Sequence, residues 1–228
     1  MTKNSSSKLR KQLPLAVLFL AAAAARAAGS HHAVDDAAIL EERQCQFESW
    51  IDARPKGERL AHLGTSCRAG AVEVGLAADR SRVPGTADVQ VVGPQVKWAT
   101  LLSEKWSAGI SVAASWRTLP VSGFAGATVV VPVTWRASDT LSFHVNVGQD
   151  FLPGQPNPGR SGIALEWAAS PQWSIALERF HENDAHFARA GARWQASPNV
   201  SVDISRAHGL GAAQPSWWTL GINWLFER

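Results

Sequence analysis

The chain has 228 residues, with 22 Lys and Arg, 19 Asp and Glu, and two cysteines, a length that makes one domain or at most two. Five of the 22 basic residues and none of the acids precede Ala28, so the rest of the chain holds 17 basic against 19 acidic side chains, a net charge of about −2. With no basic stripe left, a nucleic-acid partner is excluded.

Lys3, Lys8, Arg10 and Lys11 precede the apolar run Leu13 to Ala25 and the small-residue stretch Ala25-Arg26-Ala27-Ala28-Gly29. Positive start, short apolar core and small-residue site predict a cleaved signal peptide over 1–28, with the cut after Ala27 or Ala28. Residues 29–42 are then a polar periplasmic lead-in, with a short helical turn expected between Asp35 and Glu42. Cleavage after Ala28 would leave Gly29-Ser30-His31 at a free amine, where the amine, two backbone amides and the imidazole can take Cu(II) or Ni(II) in a square plane. His31 and His32 are therefore the candidate metal ligands, with Asp35 and Asp36 nearby.

From Arg43 onward, apolar side chains alternate with small or polar ones in segments of about ten residues, as in Leu141-Ser142-Phe143-His144-Val145-Asn146-Val147. Strands are expected near 43–54, 58–69, 71–79, 88–99, 106–116, 123–136, 140–149, 161–169, 172–181, 185–196, 199–207 and 216–226. Nothing after residue 28 approaches the ~18 apolar residues of a spanning helix, so membrane insertion would require a closed barrel. Tight connections (Arg68-Ala69-Gly70, Ser138-Asp139, Ser170-Pro171, Ser197-Pro198-Asn199) alternate with longer ones at 80–87, 117–122, 150–160 and 208–215. That sorting suits a single antiparallel transmembrane β-barrel of about 12 strands over 43–228, with 10 as the fallback. A soluble sandwich would use the same tryptophans as core.

Pro55-Lys56-Gly57 suits a type I turn closed by a left-handed glycine, pairing residue 54 with 58. Counting outward brings Cys45 opposite Cys67, the default for a structural disulfide in an oxidising compartment. The repeat Trp135-Arg136-Ala137-Ser138-Asp139, Trp167-Ala168-Ala169-Ser170-Pro171 and Trp194-Gln195-Ala196-Ser197-Pro198 ends hairpins in tryptophan. It places Trp98, Trp135, Trp167, Trp194 and Trp224 in one membrane girdle, with Trp50, Trp116, Phe180, Phe187, Trp217 and Trp218 in the opposite one.

The last strand, with Trp218, Leu220, Ile222, Trp224 and Phe226 on one face, resembles the signal read by the barrel-assembly machinery of Gram-negative outer-membrane β-barrel proteins, although Glu227 and Arg228 follow the aromatic. The resemblance implies an outer-membrane location, contact with outer-membrane lipid and both termini in the periplasm.

Opposite the greasy face lie Glu48, His62, Arg68, Glu73, Lys97, His144, Asn146, Glu166, Glu178, Arg189, Arg193 and Asp203, expected to line a pore or to form a lumen network, with Glu178–Arg189 and Arg193–Asp203 as pairs. The leading expectation is a narrow passive pore or transport-related component. The alternatives are a plugged structural or metal-associated barrel and a lipid-acting hydrolase, the last resting on Ser142, His144 and Asn146, which resemble the residue types of outer-membrane phospholipase. Side chains two apart on a strand sit ~7 Å from each other, poor geometry for a nucleophile and its base, so no catalytic residue is assigned.

Overall fold

The computed structural model describes residues 31–211 and 214–228. The signal peptide expected over 1–28 lies outside these residues.

Alternation of period two over this length builds a sheet with a greasy face and a wet face, and here the sheet closes on itself and leaves no edge. The twelve strands are β1 (Gln44–Ala53), β2 (Arg59–Ala69), β3 (Val72–Arg82), β4 (Val89–Leu101), β5 (Trp106–Leu119), β6 (Gly123–Arg136), β7 (Leu141–Phe151), β8 (Gly159–Ala168), β9 (Trp173–Glu182), β10 (Ala185–Ser197), β11 (Val200–Gly209) and β12 (Trp217–Glu227). Each pairs antiparallel with its successor, and β1 pairs with β12, so the sheet is a closed barrel. Among the described residues no helix is long and apolar enough to cross a membrane.

Cys45 is opposite Cys67 in the β1–β2 register, and the two are bonded. Arg54 N–H donates to the Glu58 carbonyl at 3.0 Å, as counting outward from the turn requires. The turn itself departs from a simple type I form: Lys56 (φ 59°) joins Gly57 (φ 79°) in the left-handed region.

One rim holds both ends of the barrel, where Arg228 N–H donates to the Arg43 carbonyl at 3.1 Å. At the far rim the strands reach further than the sequence pattern indicates. β3 runs to Arg82 and β5 to Leu119, so those loops shrink to 83–88 and 120–122. The polar and glycine-rich ends that read as loop are still paired in the ladder.

The greasy face points outward. Trp98, Trp135, Trp167, Trp194 and Trp224 are all 39–51 % exposed on it, clustered toward the terminal rim. The opposite aromatic set is corrected by parity: Trp116 and Trp218 point outward, but Phe180, Phe187 and Trp217 are buried inside, and Trp50 stacks on the inward His62 at 4.7 Å. Trp217 and Trp218 are consecutive, and a strand must send them to opposite faces.

Candidate functional site: an occupied lumen

The inner wall is a network of polar side chains. Arg193 Nε donates to Asp203 Oδ1 at 2.6 Å and its Nη2 to Oδ2 at 3.2 Å, and Asn223 Nδ2 adds a third bond to Oδ2 at 2.6 Å. His62 lies between Asp79 (2.7 Å) and Glu48 (3.3 Å). Arg160 faces Asp150 at 3.4 Å and Glu182 at 2.9 Å. Thr219 donates to Asp52 at 2.6 Å. Charges of opposite sign on facing strands attract, and removal from bulk water raises the cost of leaving any of them unmatched.

The residues ahead of β1 bond to further side chains of the wall. The sequence pattern places 29–42 outside the barrel mouth with a helical turn; instead residues 31–40 run inside the lumen as a strap without helix. Near the terminal rim, Leu40 N–H donates to Glu73 at 3.1 Å, and Arg68 Nη1 donates to the Leu40 carbonyl at 3.0 Å. Next, Ala37 N–H donates to Thr134 Oγ1 at 2.9 Å. Lys97 pairs with Asp35 at 2.7 Å and Asp36 at 3.1 Å. With its amide turned to match, Asn146 brackets the Asp35 backbone, accepting from its N–H at 2.7 Å and donating to its carbonyl at 2.9 Å. Deeper still, Val34 N–H donates to Glu178 Oε1 at 3.0 Å, and Arg189 donates to the His31 carbonyl. A strap with no ladder of its own has its backbone groups met by side chains of the wall.

At Val34 the strap passes through an apolar knot. Val34 is wholly buried among Ala164, Phe180, Ala185, Phe187, Ala207 and Trp217. Phe180 and Phe187 stack at 5.1 Å, and Trp217 meets Phe187 edge-on at 5.2 Å. Gly162 makes this approach possible, since a Cβ there would come within 2.5 Å of Val34 Cγ2. Between strap and wall remains a cavity of about 650 Å³ whose lining mixes polar residues such as Glu48, Glu73, Lys97 and Arg193 with apolar ones such as Ile39 and Val130.

The twelve lumen residues singled out in the sequence thus have distinct tasks, Arg68 holding the Leu40 carbonyl. Glu73, Lys97, Asn146, Glu178 and Arg189 hold the strap; Glu48 and His62 pair with each other; Arg193 and Asp203 do likewise. His144 Nδ1 is 2.9 Å from Thr134 Oγ1, and its Nε2 is 3.7 Å from Glu166, so its ring is engaged by these two and not by Ser142. Thr134, Thr219, Asp52, Asn223 and Arg160 were missed, although parity along their strands marks each as inward. The His31 and His32 rings lie 4.4 Å apart and tilted by 31°, with His32 Nδ1 3.4 Å from Glu178. Among the described residues no group of three or more His, Cys, Asp or Glu is arranged to hold a metal. Gly29 and Ser30, which the Cu(II) or Ni(II) chelate would need, lie outside the described residues.

One protein family, described as "Uncharacterised conserved protein UCP029691", matches residues 16–226. No curated protein matches in sequence. Solved structures share the fold at low identity. A structure titled "KdgM porin" superposes with a TM-score of 0.67 at 8 % identity, covering 80 % of this chain and 99 % of that one. A NanC porin gives 0.63 at 11 %, covering 78 % and 98 %. The Ralstonia pickettii toluene transporter TbuX gives 0.52 at 9 %, covering 83 % and 90 %. The fold is that of outer-membrane β-barrels.

Proposed function

The chain belongs to that family, and we propose that it is a narrow passive channel of a Gram-negative outer membrane, throttled by its own N-terminal strap. The observation that carries this reading is the polar, strap-filled lumen. A strap held by single side-chain anchors beside a cavity that persists along the wall suits a channel with a narrow path. Fold relatives described as porins and as a toluene transporter support a role in passage. The start of β1 and the end of β12 meet at one rim, and in this reading that rim faces the periplasm.

Planar-bilayer recording tests it, comparing the intact chain with one lacking residues 31–40. A strand segment fills ~160 Å³ per residue, from a rise of ~3.3 Å, a strand spacing of ~4.8 Å and a sheet spacing of ~10 Å. Ten residues therefore displace about 1,600 Å³, against a remaining cavity of about 650 Å³. Small steps from the intact chain and steps at least about twofold larger after deletion are expected. The strap also favours a second reading, a permanently plugged structural barrel. Silence from both forms, each still migrating as a heat-modifiable barrel, would establish that reading and end the channel one.

A further inference from the structure

Arginines on the lipid-facing surface of a barrel need a reason, and at the far rim they stand in register. Along one row of paired residues the outward face reads Arg206, Trp218, Ala53, Arg59 and Arg82, crossing β11, β12, β1, β2 and β3. Arg59 and Arg82 are directly opposite each other, an arrangement of like charges that costs stability unless an anion lies between them. Arg206 lies over the Trp218 ring with its guanidinium carbon 5.1 Å from the centroid. On the flank, Arg179 and His208 face outward on either side of Ala188. Arg59, Arg82, Arg179 and Arg206 are all exposed, and none has a carboxylate within ion-pair distance among the described residues. Of the nearby acids, Asp88 is taken by Arg80 at 2.7 Å, and Glu58 precedes Arg59 in the turn.

Below this row the same face turns apolar, directly on β11, β12 and β1, after Ala61 on β2, and on β3 after Ala78 and an Arg80 that Asp88 neutralises. Ile204, Leu220, Ile51, Leu63 and Leu76 are 39–57 % exposed. Unpaired cations bordering an apolar face match a ligand with an anionic head and acyl chains, and a free anion would gain nothing from that face. We propose that this row binds a phosphate-bearing lipid headgroup of the outer leaflet, with Arg59 and Arg82 holding one phosphate and Arg206 a second. Arg206 and Arg59 are three strand spacings apart, ~14 Å, so a headgroup carrying two phosphates suits them better than one. The choice of leaflet rests on the orientation proposed above, and the binding test below is independent of orientation and of conductance.

The full chain, folded in neutral detergent, is titrated with bisphosphorylated lipid A and analysed by native mass spectrometry for retained lipid. The wild type is expected to keep lipid A through dilution, while Arg59→Gln with Arg82→Gln requires at least about tenfold more lipid. Arg59→Lys with Arg82→Lys keeps most binding, and Lys105→Gln at the opposite rim changes nothing. Equal retention by the Gln variant, equal binding of the dephosphorylated lipid, or displacement by inorganic phosphate would each overturn the proposal. Tighter binding of phosphatidylglycerol than of lipid A would do the same. Heat-modifiable migration of every variant confirms that the barrel itself is intact, and should the double Gln variant fail that check, Arg206→Gln alone is read by the same criterion.

Discussion

Glu178 is the point at which the strap and the wall are most tightly joined, and replacing it with alanine should loosen the strap without opening the barrel. Its carboxylate accepts from Val34 N–H at 3.0 Å, faces Arg189 at 3.3 Å and His32 at 3.4 Å, and Arg189 in turn holds the His31 carbonyl. A backbone bond to a buried carboxylate is worth ~2 kcal/mol, and Arg189 belongs to the wall whether the strap is docked or not, so ~2 kcal/mol is the expected loss of docking free energy. That converts to a shift of ~30-fold in the ratio of docked to undocked strap. Glu178→Gln retains an acceptor for Val34 and loses the charge, so its effect should be intermediate. In single-channel records the change reads as longer or more frequent visits to the larger conductance that deletion of 31–40 makes permanent. A Glu178→Ala barrel that folds normally and shows open occupancy within about threefold of wild type would refute the idea that these anchors hold the strap.

Gly162→Ala should act in the same direction by steric means, since the new methyl would meet Val34 Cγ2, and Val34→Ala should reverse it in the double variant; both are read from open occupancy. Replacing Cys45 and Cys67 with serine opens a link spanning 22 residues and should lower stability by ~3 kcal/mol, seen as a lower temperature for loss of the folded gel band with unchanged conductance. Asp203→Ala takes the carboxylate from Arg193 and Asn223 and should cost ~3 kcal/mol by denaturant titration, with Asp203→Asn costing less.

The barrel was legible in the sequence because a two-residue period carries its meaning locally: once one residue of a strand is known to face lipid, its neighbours follow. The Cys45–Cys67 pairing came from the same arithmetic, anchored on the Pro55–Gly57 turn. Where aromatics were assigned by position along the strand instead of by parity, the reading failed, and Phe180, Phe187 and Trp217 moved from girdle to knot. The strap was illegible for a deeper reason. Residues 31–40 have neither a helical nor a strand period, because their backbone bonds are met singly by side chains from six different strands and no repeat is imposed on them. What the sequence did show was the complementary half of the interaction: a wall with Glu73, Lys97, Glu178 and Arg189 facing inward. Two of those charges pair chiefly with strap atoms, Lys97 with Asp35 and Asp36, and Glu73 with Leu40, although Glu73 and Lys97 are themselves cross-strand neighbours and could have neutralised each other. A wall whose neighbouring opposite charges both reach for the strap is arranged to bind that segment, and losing the strap would return Glu73 to Lys97, which is the rearrangement that makes an unplugged lumen affordable.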